Sequence, residues 1–116
     1  MNIEYSEFYL RDILNEVTTI AVVGASSKKH RDSYKVMESL IENGYKVFPI
    51  NPNESGNNIL NLECLPNLDA VEENIDMVDI FRKHDAVMDI AKDAIKIGAK
   101  VLWMQEGIVH HEAANL

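Results

Sequence analysis

Apolar residues recur along this chain with two different periods. Leu10, Ile13, Leu14 and Val17 fall on one helical face, which predicts a short amphipathic helix over about 6–17. Thr18 and Thr19 close it. Ile20-Ala21-Val22-Val23 then runs apolar on both faces, the pattern of a central parallel strand covered by helices on each side. Val36, Met37, Leu40 and Ile41 make the next helical stripe, with Ser33 placed to cap its start and Gly44 its end. Lys46-Val47-Phe48-Pro49-Ile50 reads as a second strand. The polar run from Asn51 to Asn58 reads as loop, with neither helix nor strand in it. Residues 59–75 carry no clear period, and only a short helix near Leu68 to Glu73 is expected there. Met77-Val78-Asp79-Ile80-Phe81 reads as a third strand. Val87, Ile90, Ala91, Ala94 and Ile95 stripe a helix that Gly98 stops, and Lys100-Val101-Leu102-Trp103-Met104 reads as a fourth strand. Gln105-Glu106-Gly107 turns the chain towards a further helix from His111.

Strand and helix therefore alternate, and neighbouring strands start roughly 23 to 31 residues apart, the length of a βαβ unit. Right-handed crossovers then predict an α/β fold with a doubly wound parallel sheet in three layers, α/β/α. With 116 residues, no repeat and no linker, the chain is expected to be a single domain over 1–116. Charge narrows the partners. Nineteen acidic against eleven basic residues, a net charge of −8, argue against nucleic acid or an anionic membrane surface. No apolar run approaches the ~20 residues that span a bilayer. The N-terminus lacks the cationic and apolar segments of a secretory signal, and Cys64 stands alone, so a cytoplasmic location is expected.

Against that acidic background, four of the eleven cations lie between Lys28 and Lys35, just after a strand that ends on Gly24. In doubly wound sheets ligands sit beyond the C-terminal ends of the strands. Here that edge collects Gly24 to Arg31, Asn51 to Asn53, Phe81 to Lys83 and Gln105 to Gly107. Lys28, Lys29, Arg31, Lys35, Arg82 and Lys83 all fall on or beside it, and acids are scarce. A ligand carrying several phosphates is the simplest match. A nicotinamide dinucleotide fits poorly: Ser26 and Lys29 stand where G-x-G-x-x-G requires glycine, and Asn51 stands where an acid would take the ribose hydroxyls. A Walker P-loop fails for want of a second glycine followed by Lys and Ser or Thr.

Five collinear segments over roughly 10–116 carry a resemblance. They are Ala21-Val22-Val23-Gly24-Ala25-Ser26, Ser33-Tyr34-Lys35-Val36, Val47-Phe48-Pro49-Ile50-Asn51-Pro52, Val78-Asp79-Ile80-Phe81-Arg82, and Gly98 to Ile108. Together they resemble the small stand-alone CoA-binding proteins, which are similar to the CoA-binding domain of the succinyl-CoA synthetase alpha subunit. The resemblance implies a Rossmann-like fold that binds coenzyme A or an acyl-CoA; it implies no particular reaction, and a non-catalytic binding domain is the expectation. By position it implies that Gly24, Ala25, Ser26 and Ser27 contact the CoA diphosphate, with Lys28 and Arg31 adding charge. Asn51 and Pro52 would flank the adenine or ribose, Phe81 and Arg82 would border the ligand, and Gln105, Glu106 and Gly107 would line the cleft. The same resemblance leaves room for a detached subunit of an NDP-forming acyl-CoA synthetase that needs a partner ligase chain.

Two departures from the family pattern stand out. Asn61 replaces a usual glycine, and the chain ends at Leu116 where the family continues through a helix into a fifth strand ending in Asp-Arg-Cys. With the strand order 3-2-1-4-5 that the resemblance implies, Lys100 to Met104 becomes an apolar edge, from which a homodimer or a marginally stable form is expected. Other candidates have plainer readings. His110-His111 reads as a helix start and not a metal site, since no partner ligand has suitable spacing. Asp85, Asp89 and Asp93 lie opposite an apolar stripe, as a solvated helix face. Trp103, Met37, Met77 and Met104 read as core, and Cys64 as a loop or semi-buried thiol. Glu106 has the chemistry of a general base but no identifiable partner, so no catalytic residue is assigned.

Overall fold

The computed structural model describes residues 17–104. The helix expected over 6–17, the turn Gln105 to Gly107 and the helix from His111 therefore lie outside the described residues, save Val17 itself. Along the described chain run β1 (Thr19–Val23), α1 (Asp32–Glu42), β2 (Lys46–Ile50), β3 (Asn58–Ile59), β4 (Leu62–Glu63), β5 (Met77–Ile80), α2 (His84–Lys96) and β6 (Val101–Met104), with single 3-10 turns at Pro52–Glu54 and Leu68–Ala70.

β2, β1, β5 and β6 form one parallel sheet in that order. The third long strand thus lies beside the first, which corrects the expected 3-2-1-4-5 order. The flank of β2 is taken instead by Leu65, which bridges in parallel to Ile50: its N–H donates to the Pro49 carbonyl and its carbonyl accepts from the Asn51 N–H, each at 2.9 Å. This also explains a proline inside a strand. N–H and C=O of one strand residue point the same way, so Pro49 lacks its donor on the flank away from β1, where the ladder is shortest.

Alternation along the central strands sorts the core into two halves. Ala21, Val23, Val78 and Ile80 point to the face covered by α2, where they pack with Val87, Ala91 and Ala94. Ile20, Val22, Val47 and Met77 point to the other face, where they meet Met37 of α1. Three layers and a doubly wound sheet follow, as the pattern predicted, in the Rossmann-like form that the resemblance implied. Both helices turn slightly from their predicted stripes. Ser33 and Met37 are the buried residues of α1 and Ile41 is 37% exposed; on α2, Ile95 is 41% exposed. The two small residues Ala91 and Ala94, fully buried, let that helix lie close on the sheet.

Three local expectations are corrected. Ser33 is not the N-cap: α1 starts at Asp32 behind Arg31, which makes no side-chain cap bond. The helix expected near Leu68 to Glu73 is one 3-10 turn, capped by the Asn67 side chain accepting from the Ala70 N–H (3.0 Å) and ended by extended backbone at Val71. The loop reading of 51–58 also gives way. Pro52–Glu54 is a 3-10 turn, and Asn58–Ile59 pairs antiparallel with Leu62–Glu63 in a hairpin. Its two-residue turn has Leu60 and Asn61 at φ 52° and 66°, the left-handed geometry that two-residue hairpins need. Asn tolerates that conformation best after glycine, which accounts for Asn61 at this turn. The hairpin is held by Ile59 and Cys64, both buried under the α1 face.

Candidate functional site

β1 ends in a turn that only glycine can make. Gly24 has φ 90°, and a Cβ there would run into the Phe81 carbonyl oxygen, with the Arg82 side chain at 3.2 Å. The N–H groups of Gly24 and Ala25 both donate to the Ile50 carbonyl, at 2.9 and 3.2 Å, while the Phe81 N–H donates to the Val23 carbonyl at 2.7 Å. The ends of β1, β2 and β5 are thereby tied together. Beyond this knot the Lys28 N–H donates to Ser26 Oγ (3.1 Å) and the Arg31 N–H to the Lys28 carbonyl (3.0 Å), so the loop is a compact turn leading straight into α1. Because Arg31 offers no side-chain cap, the first-turn N–H groups of α1 are left for solvent or an anion, where the helix dipole favours negative charge.

The second wall is the segment after β2. Asn51 uses both ends of its amide: Nδ2 donates to the Ala25 carbonyl (2.8 Å) and Oδ1 accepts from the Asn53 N–H (2.9 Å). This clamps the Pro52–Glu54 turn against the glycine turn. Glu54 reaches across, and its Oε2 accepts from the Ser27 N–H at 3.1 Å. Between the walls lies a pocket of about 950 Å³, lined by the Gly24–Lys28 turn without Ala25, the start of α1 from Arg31 to Ser33, Asn51, Asn53, Glu54, Phe81 and Arg82. That volume is at the upper end of the ~300–1,000 Å³ typical of small-molecule sites. The pocket sits at the sheet edge where β1 is followed on one side by β2 and on the other by β5, the switch point of a doubly wound sheet.

The model of a family described as "CoA binding domain" matches residues 18–116. The chain belongs to the CoA-binding domain family. It is 31% identical over 111 residues to the uncharacterized protein YneT of Bacillus subtilis (strain 168), a match that covers 96% of this chain and 81% of that protein. A solved structure, a hypothetical protein from Pyrococcus horikoshii OT3, superposes with a TM-score of 0.86 at 38% identity, covering 99% of this chain and 80% of that one. A third similarity is to the Archaeoglobus fulgidus acetate–CoA ligase [ADP-forming] II, 29% identical over 93 residues; it covers 78% of this chain but only 13% of the ligase. The Rossmann-like fold of the family is the fold described above.

Of the residues that this family resemblance singles out, Gly24, Ser26, Ser27, Lys28, Arg31, Asn51, Phe81 and Arg82 all line the one pocket. Ala25 does not: its side chain is fully buried and its N–H and C=O are taken by Ile50 and Asn51. Pro52 forms the start of the wall turn without lining the pocket, and Gln105, Glu106 and Gly107 lie outside the described residues. Lys29, Lys35 and Lys83 are exposed and stand off the lining. Asn53, read in the sequence only as part of the sheet edge, lines the pocket too, and three further lining residues were not assigned to the site from the sequence: Asp32, Ser33 and Glu54. Two are acids, so the pocket holds three cations and two carboxylates rather than the acid-poor edge expected. The available signal was the Asn-Pro-Asn-Glu turn, whose Asx geometry at Asn51 aims the chain back at the glycine loop. Among the described residues no cluster of three potential metal ligands occurs, and no helix is long and apolar enough to cross a membrane.

Proposed function

We propose that this chain is a single CoA-binding domain over residues 1–116 that holds coenzyme A or an acyl-CoA and catalyses no reaction by itself. The observation that carries the reading is the pocket at the switch point of a chain belonging to this family, with a glycine turn, Lys28, Arg31, Arg82 and an uncapped helix start around it. In this reading the CoA diphosphate lies against Gly24, Ser26 and Ser27, with Lys28 and Arg31 supplying charge. Ala25 and Asn51 act by shaping the cradle, because their polar groups are already engaged. Asn51 borders the adenine or ribose with Pro52 behind it in the wall turn, Phe81 and Arg82 form the β5 side, and Gln105 to Gly107 would line the cleft, as the family resemblance implies. A cytoplasmic site of action goes with this ligand.

Isothermal titration tests it. CoA or acetyl-CoA is expected to bind and NAD(P) not to; binding of another nucleotide with none of CoA would overturn the reading. Repeating the titration with dephospho-CoA assigns the cations. Lys28→Ala and Arg31→Ala are each expected to weaken CoA about three- to tenfold, as for partly exposed charge-assisted contacts. A residue that serves the 3′-phosphate loses CoA more than dephospho-CoA, and one that serves the diphosphate loses both equally.

The similarity to part of an ADP-forming acetate–CoA ligase supports a second reading, a detached subunit that works with a partner ligase chain. Co-purification with a larger ATP-grasp protein, with acyl-CoA formation in the mixture, would favour it. A homodimer belongs to the same set of proposals. Sedimentation at micromolar concentrations checks it, and a monomer at all concentrations removes it.

A further inference from the structure

Glu54 is out of place in a site for phosphates. Its carboxylate lies in the pocket with Lys28, Arg31 and Arg82, and it accepts from the Ser27 N–H (3.1 Å), one of the backbone donors of the glycine turn. We propose that Glu54 is a resident anion of this cradle, and that a phosphate-bearing ligand must displace it to bind. The inference deepens the binding reading above and rests on it. A backbone N–H has one proton and cannot serve a carboxylate and a phosphate at full strength. A carboxylate kept within a few ångströms of a bound phosphate would also repel it. The backbone of Glu54 is anchored by its own N–H donating to the Asn51 carbonyl at 3.1 Å, so the turn stays in place and only the side chain has to swing. Glu54 is half-buried and lines the pocket, so its carboxylate can rehydrate when it leaves the Ser27 N–H. The pocket therefore carries its own competitor, and CoA affinity is set below what the cations and the helix start would give alone.

Glu54→Gln keeps the size and one acceptor oxygen but removes the charge, which halves the strength of the bond to Ser27 and ends the repulsion. The variant is expected to bind both CoA and inorganic pyrophosphate about tenfold more tightly than the wild type at low salt, the gain shrinking as salt is raised. Equal or weaker binding by the variant would overturn the proposal and leave the CoA reading intact, since Glu54 would then be a neutral wall or a direct ligand contact. If CoA binds neither protein while pyrophosphate still prefers the variant, the CoA reading falls and the resident-anion proposal stands. If neither anion binds either protein, both fall. A readout on the wild type guards against a variant that fails to fold. Titrating pyrophosphate should shift the Ser27 amide and the Glu54 side-chain carboxylate carbon in NMR with one midpoint; a static Glu54 resonance would overturn the proposal.

Discussion

A side chain at position 24 has nowhere to go. The Phe81 carbonyl lies directly behind the Gly24 Cα, and the φ of 90° is itself unfavourable for any L-residue with a Cβ. Gly24→Ala should therefore strain the knot joining β1, β2 and β5, by about 1–2 kcal/mol from the left-handed backbone alone. That corresponds to a fall of about 4–10 °C in Tm, and the same change should open the turn that cradles the ligand. Differential scanning calorimetry with a parallel CoA titration checks both; an unchanged Tm would show that the β5 end yields freely. Gly24 was legible because its demand is local, a strand that must turn at once into a phosphate loop. Glu54 was not. Nothing within the run Asn51 to Asn58 marks one carboxylate as facing the Ser27 N–H, because that contact joins residues 27 positions apart.

Among the elements, the sheet is held at both ends by different chemistry. At the site end the ties are backbone hydrogen bonds around Gly24. At the opposite end one carboxylate does the joining. Asp76 Oδ2 accepts from the Thr18 N–H and hydroxyl (both 2.9 Å) and from the Thr19 N–H (3.2 Å), while its main chain bonds to Thr19, Lys100 and Val101. β1, β5 and β6 thus start from a common anchor. The Thr18 and Thr19 donors hold the Asp76 carboxyl down at about 2, from an ordinary 3.8. Since the folded value is the lower one, the stabilisation is fully present above about 3.8 and is lost as pH falls through about 2. Asp76→Ala is expected to destabilise by about 0.5–1.5 kcal/mol at neutral pH, because it removes the charged acceptor of Thr18 and Thr19 while water can reach the donors it leaves. Urea unfolding of the wild type and the variant across this pH range should show the gap narrowing towards pH 2, and a gap independent of pH would rule out the ionised anchor. No apolar period could have announced Asp76; it lies in a turn, and its partners are 57 and 58 residues away.

For the whole molecule, ligand binding and folding are one linked equilibrium. If CoA binds the native chain alone, a concentration of 100 Kd adds about 2.7 kcal/mol of stability and raises Tm by several degrees. Cys64 gives a second reporter. It is fully buried beside the hairpin, and burial pushes its thiol above the usual value of 9.0, so it should react slowly with a thiol reagent at neutral pH. Its Sγ lies 3.6 Å from the Asn51 carbonyl, on the wall that carries Glu54, and acetyl-CoA, whose sulfur is blocked as a thioester, should slow its labelling further. Labelling that is fast and indifferent to acetyl-CoA would mean that the wall opens independently of the site. What the sequence determined by itself is whatever local pattern enforces: the four long strands, the two helices between them, the glycine turn, and the cations gathered at one edge. Periodicity and backbone stereochemistry act over a few residues, and those features obey them. Strand order, the hairpin under α1, the Asp76 anchor and the carboxylate facing Ser27 were decided only by the tertiary structure. Each depends on which surfaces, far apart in the chain, exclude water together, and no local run of residues encodes that choice. The cradle was written in the sequence; the anion that already occupies its Ser27 N–H was not.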